Sequence, residues 1–232
     1  MPNNKICFVS IDVEREIENL DRILEIFKRY GVSATLFATG EILAKYSTLA
    51  RVWQKDYEIA CHSFTHRFWD ALNEAERRQE LADFINLYQE IFNKKPLGFR
   101  APSHIIDEEA IKLLEENDFL YDSSIVPHYP PFKKYRGYKG KRPLSPYYPK
   151  ERKILEIPLR GQVLGIPLAG AWISRLPFQL YRFLFFVYNP SFITVSIHSW
   201  DNLKNFDRIL NLLKKKNYQF LNGAEIFYQN RR

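Results

Sequence analysis

Short apolar runs alternate with stretches of helical periodicity about seven times along this chain, and few folds accept that order. Strand, helix, strand in succession builds parallel sheet, because parallel neighbours need a long crossover where antiparallel ones need only a tight turn. Ile6–Ile11 is an apolar run without helical spacing, read as a buried strand. Ile17, Leu20, Ile23, Leu24 and Phe27 then recur at helical spacing, and Gly31 stands where a left-handed C-cap belongs. Residues 33–38 read as strand, 41–52 as helix and 57–61 as strand. Asn73 with Glu76 forms a capping box before a long helix to about Phe92. A strand at 97–99, a helix at 108–116 capped by Asp107, and a strand at 119–121 follow. Strands at 154–157 and 192–197, a helix at 206–213, a strand at 218–221 and a closing helix at 224–228 complete the order. The expected class is α/β with a parallel sheet.

In parallel α/β folds, residues that meet ligands sit at the carboxyl ends of strands. Asp12, His62, Arg100, Asp122 and His198 all fall there. His62 and His66 form an H-x-x-x-H frame, a spacing that lets two imidazoles grip one metal ion. Residues i and i+2 of a strand share a face, so Glu14 can share one with Asp12 where Val13 cannot. Each feature also has a structural reading. Asp12 and Glu14 could cap a helix beginning near Arg15, Arg100 could be an ordinary strand-end arginine, and His198 a hydrogen-bonded core histidine. His104, His128 and Asp122 are read as structural.

The chain carries a net charge of +7. Between Pro127 and Arg152, eight cations (Lys133, Lys134, Arg136, Lys139, Lys141, Arg142, Lys150 and Arg152) stand against Glu151 alone, so this segment holds the whole excess. It also carries Tyr129, Phe132, Tyr135, Tyr138, Tyr147 and Tyr148. Cations hold phosphates or uronates and aromatic faces stack on sugar rings. Such a segment is either a loop that recognises an anionic glycan, a nucleotide sugar or a lipid-linked sugar, or a solvated, proline-stiffened surface loop. No nucleic-acid motif accompanies it, and no nucleic-acid partner is expected. Two cysteines, Cys7 and Cys61, make no disulfide framework. The N-terminus lacks the regions of a signal peptide, and no apolar run is long enough to span a bilayer. Residues 176–188 read as a core or interfacial helix. The expected location is cytoplasmic, free or peripheral at the inner face of the membrane.

Five motifs in order resemble the polysaccharide deacetylases, the NodB-homology group of carbohydrate esterases. They are Ser10-Ile-Asp-Val-Glu14, Glu58-Ile-Ala-Cys-His-Ser-Phe-Thr-His66, Phe99-Arg-Ala-Pro-Ser103, Tyr121-Asp-Ser-Ser124 and Val195-Ser-Ile-His198. The resemblance implies a distorted parallel (β/α)7 barrel, here one domain over 1–232, and metal-dependent removal of N-acetyl groups from an amino sugar of a polysaccharide, glycan precursor or lipid-linked saccharide. It implies a divalent metal, zinc, on Glu14, His62 and His66. Asp12 is then the base, paired with Arg100, and His198 the acid. Ser103, through its backbone N–H, and Trp200 serve the oxyanion and the substrate. Three features depart from the family pattern. Val13 replaces the second of two adjacent aspartates, the aspartate that tunes the catalytic histidine has no evident position, and Val126 or Pro127 stands near the place of a Trp that often follows the fourth motif. The alternatives are a deformylase or small-molecule amidase on the same site, or a catalytically inactive module that binds carbohydrate or membrane.

Overall fold

A computed structural model describes residues 5–127, 142–159, 162–163, 166–169 and 171–231. Lys133, Lys134, Arg136, Lys139, Lys141, Tyr129, Phe132, Tyr135, Tyr138 and His128 lie outside the described residues. The elements run β1 (Lys5–Val13), α1 (Leu20–Tyr30), β2 (Thr35–Ala38), α2 (Gly40–Lys45), α3 (Ser47–Trp53), β3 (Glu58–Cys61), α4 (Glu74–Phe92), β4 (Gly98–Phe99), α5 (Glu108–Glu116) and β5 (Tyr121–Asp122). They continue with β6 (Leu155–Glu156), β7 (Gln162–Val163), β8 (Ile166–Pro167), α6 (Ala171–Arg175), α7 (Phe178–Val187), β9 (Phe192–His198), α8 (Phe206–Lys215), β10 (Tyr218–Leu221) and α9 (Gly223–Asn230).

β1 organises the sheet. It pairs in parallel with β9 from Ile6 to Asp12, which uses one of its two edges. The other edge is shared: Lys5–Phe8 pair with β10, and Ser10–Val13 pair with β2. From β2 the order continues β3, β4, β5, β6, each pair parallel. Beyond β6 the chain meets the free edge of β9. Thr194 Oγ1 donates to the Pro158 carbonyl at 2.9 Å, and the Ser196 N–H donates to the Leu168 carbonyl at 3.2 Å. The sheet therefore curls toward closure, a parallel strand barrel wrapped by helices. At the amino-terminal end Tyr121 is fully buried against Gly98 and Gly223, where a Cβ on either glycine would overlap its ring.

Local sequence accounts for most boundaries. Gly31 closes α1 with φ 65°, and the Asn73/Glu76 box opens α4. A second box, Asn222 with Glu225, opens α9. Two expectations are revised. The helix at 41–52 is two helices, because Tyr46 leaves helical geometry (φ −122°, ψ 33°) just before two hydroxyl residues of modest helix propensity. α1 begins at Leu20 with Asn19 at its N-cap position, so neither Asp12 nor Glu14 caps it. The antiparallel hairpin β7–β8 has no counterpart in the sequence reading.

Candidate active site

The pleat of β1 sorts the first motif. Val13 packs into the core, while Asp12 and Glu14 line a cavity of about 560 Å3 at the carboxyl ends of the strands. Asp12 and His198 are register neighbours on β1 and β9, so residues far apart in sequence open onto one mouth. His62, His66, Ser103 and His104 line the same cavity.

Arg100 follows β4 and is completely buried. Its Nη1 donates to Asp12 Oδ1 at 2.6 Å, Ser10 Oγ at 2.9 Å and Ser196 Oγ at 3.2 Å. Nε donates to the Ser123 carbonyl and Nη2 to Ser123 Oγ, both at 3.0 Å. The guanidinium lies 4.0 Å from the centre of the Phe37 ring. Burial alone would raise the Asp12 pKa. Arg100, with smaller help from His62 and His198, overrides it and holds the carboxyl below the usual carboxylate range. Asp12 is therefore ionised throughout the physiological range.

His62 follows β3, with its Nδ1 2.8 Å from the Arg100 carbonyl. A carbonyl only accepts, so Nδ1 carries the hydrogen, and in the neutral tautomer this selects, Nε2 presents a lone pair. That lone pair faces Glu14 Oε2 at 3.3 Å, and His66 Nε2 closes on the same oxygen. Two acceptors turned toward each other suit a cation between them. One donor atom from each of Glu14, His62 and His66 lies within 4.8 Å of the others, so this carboxylate and two imidazoles fit a divalent ion of the zinc type. Burial works to raise the Glu14 pKa, but the two imidazoles beside the carboxylate, His62 ahead of His66, outweigh it and lower it to about 2.

The loop between the histidines hangs on Glu80 of α4, a residue the sequence reading passed over. Its buried carboxylate accepts from Ser63 Oγ at 2.7 Å, the Phe64 and Thr65 N–H groups at 2.9 Å, and Thr65 Oγ1 at 2.5 Å. Ser63 and His66 adopt positive φ (65° and 61°), a costly conformation for non-glycine residues that these bonds hold in place. Asp201 was also missed. Its Oδ2 accepts from the His198 backbone N–H at 2.8 Å and lies 3.0 Å from His198 Nδ1. The only available signal was its i+3 position after His198. Burial pulls the His198 pKa down, but the Asp201 hydrogen bond and the charges of Asp12 and Asp201 outweigh it, and the pKa is raised.

Trp200 does not line this cavity. Its ring stacks on His198 (centroids 4.7 Å, planes 17° apart) and borders a neighbouring depression with Asn19 and Arg22. Ser103 lies exposed at the cavity edge with φ 54°. His104, read as structural, lines the cavity. Burial, assisted by Arg100, His62 and His198, depresses its pKa to about 3 against the pull of Asp12, so it is neutral. Asp122 is at a strand end as expected, but it faces Ser124, which donates to it at 2.6 Å and accepts from the Ala101 N–H at 2.8 Å. Its neighbour Glu156 is also buried, and burial raises both pKa values, Glu156 further because of the Asp122 charge. Burial and the closeness of the two carboxyls therefore disfavour their both being charged at once.

The sequence profile described as polysaccharide deacetylase matches residues 3–121. The peptidoglycan deacetylase-like protein FGM2 of Gibberella zeae is 33% identical over 110 residues, 46% of this chain and 32% of that protein. The chain spans about a third of the length of the curated relatives it matches. Among solved structures, the PuuE allantoinase superposes with a TM-score of 0.74 at 16% identity, covering 98% of this chain and 90% of that one. The BA3943 protein of Bacillus anthracis, described as a CE4 family pseudoenzyme, gives 0.68 at 20% identity over 98% and 66%. At these identities the likeness shows the fold alone. The fold carries an allantoinase and a pseudoenzyme alike, so activity has to be argued from side chains.

Proposed function

Because the chain belongs to the polysaccharide deacetylase family, we propose that it hydrolyses the N-acetyl group of an amino sugar in a glycan, with a zinc ion on Glu14, His62 and His66. The observation that carries the reading is the convergence of those three donor atoms beside an ionised Asp12. It favours an active enzyme over an inactive module. Within the chain as described, 1–232 is read as one such domain.

A bound zinc ion supplies Lewis acidity, polarising the amide carbonyl and acidifying water. Arg100 engages Asp12 Oδ1, which leaves Oδ2 to take the proton of the attacking water. Asp12 is held ionised by Arg100, so it is ready to accept that proton. The Ser103 N–H is offered to the developing oxyanion. A carboxylate only accepts, so Asp201 fixes the hydrogen on His198 Nδ1, and Nε2 delivers the proton to the departing amine. Val13 would be no loss to such a metal site, because Glu14, just past the end of β1, lines the cavity and offers the carboxylate.

Metal analysis of the purified chain, combined with acetate release from N-acetylglucosamine oligomers, tests the proposal. One divalent ion per chain and acetate release are expected. Formate release from N-formyl sugars without acetate release would reassign the substrate. The His62→Ala, His66→Ala double variant should lose the ion, and stoichiometric metal in that variant would place the site elsewhere.

The segment 127–152 is proposed to bind the anionic part of a glycan, nucleotide sugar or lipid-linked sugar. Attraction between solvent-exposed charges is screened over about 8 Å at physiological ionic strength. Neutralising Lys133, Lys134, Arg136, Lys139, Lys141 and Arg142 should raise KM for an anionic substrate, remove most of its salt dependence and spare kcat. Unchanged constants at low and high salt would mark a solvated loop.

A further inference from the structure

We propose that the outer face of α7 docks on the surface of an anionic lipid bilayer. Gln179, Arg182, Phe183 and Phe186 fall at i, i+3, i+4 and i+7, one face of the helix, and all four are exposed. Tyr181, Leu184 and Phe185 on the opposite face are buried. Phe186 is 80% exposed, Phe183 60% and Val187 58%. Single exposed apolar residues are ordinary, but adjoining large ones on a helix that already buries its other face mark a contact surface.

Charge selects the occupant. Arg182 and Lys216 border the same shallow depression as Phe183 and Phe186. From Ile157 to Trp200 the sequence has no Asp or Glu, and α8 ends in Lys214, Lys215 and then Lys216. Phenylalanines flanked by cations without carboxylates match an interface of acyl chains beneath anionic headgroups. A second copy of the chain fits poorly, because a two-fold contact would set this cationic face against itself. Among the described residues no helix is long and apolar enough to cross a membrane, so the contact is peripheral.

The fold sets the orientation. Val187 precedes β9, which starts at Phe192, and Lys216 precedes β10, which starts at Tyr218. The docking face is thus toward the amino-terminal ends of the strands, and the active-site cavity is at their carboxyl ends. The bound protein would turn its mouth away from the bilayer. This inference does not depend on the proposed activity, since it can be read without turnover.

The test is co-sedimentation of the full chain with vesicles of phosphatidylcholine alone or mixed with phosphatidylglycerol. Wild type should bind the mixed vesicles and release as salt rises. Phe183→Ser with Phe186→Ser should weaken that binding roughly tenfold or more, given the apolar area withdrawn. Arg182→Glu with Lys216→Glu should abolish the preference for anionic vesicles. All four side chains lie outside the core and the active site, so Tm and acetate release should be unchanged. Three results would overturn the proposal: no binding of wild type to mixed vesicles, equal binding by wild type and the phenylalanine variant, or a dimer in sedimentation equilibrium that the same substitutions dissolve.

Discussion

Replacing Arg100 by methionine is expected to lower unfolding stability by about 3–5 kcal/mol, the usual cost of stranding one member of a buried ion pair. The partner, Asp12, has a side chain only 5% exposed, so water cannot take over the guanidinium's role. The hydroxyls of Ser10, Ser123 and Ser196 and the Ser123 carbonyl lose their donor too. Arg100→Lys should recover little, because one ammonium cannot reproduce the fork that meets Asp12 and both Ser123 acceptors. Adding Asp12→Asn to the methionine variant should restore part of the loss, since the stranded charge is then gone. Urea titration of the four proteins measures this, and a loss below about 1 kcal/mol for Arg100→Met would contradict the pair's isolation from solvent. The folded Asp12 pKa is depressed, so the pair's contribution is full above the ordinary aspartate range. It fades as pH falls toward the folded value.

His198→Ala should cut kcat by about 10^2 to 10^4, the range for loss of a positioned acid, while metal content stays unchanged. Near wild-type kcat would remove His198 from the proposed mechanism. Asp201→Asn tests how the acid is kept protonated. The folded His198 pKa is raised, so the proton-donating form persists above the ordinary histidine value, and activity declines only as pH rises through the raised value. The stabilisation from the His198–Asp201 contact follows the same sign. It is present below the ordinary histidine value and is lost on passing the raised one. Without the Asp201 charge the alkaline limb of the kcat profile should move to lower pH. A smaller kcat with an unmoved limb would show that Asp201 only props the turn.

What the sequence made legible was local or periodic. The Asn73/Glu76 box and Gly31 declare themselves within four residues of the backbone groups they satisfy, and both are where expected. The strand-end positions of Asp12, His62, Arg100 and His198 follow from parallel topology, and the structure brings all four to one cavity or its wall. The face argument for Glu14 also holds, because a strand's pleat is independent of what surrounds it. The contribution of Glu80 was not legible. Its partners lie 15 to 17 residues earlier, beyond a loop whose path no propensity fixes. Asp201 was hidden for the opposite reason, since a polar residue three positions after a strand end is what any turn would carry. Trp200 illustrates adjacency misleading: the neighbour of His198 in sequence stacks behind the imidazole, away from the cavity.

The grip of Glu80 on the Ser63–His66 loop bears on how the chain would take up the proposed ion. A carboxylate on a long helix orders the path between the two imidazoles, and the Arg100 carbonyl orients the first of them. The conformational entropy of assembling the chelate is therefore spent during folding and not at capture. In zinc fingers the ion organises the polypeptide and its loss unravels the domain. At the proposed site the ligand cradle would precede its occupant, so a chelator should strip a bound ion from a chain that stays folded, and reloading should be as quick as diffusion and dehydration of the ion allow.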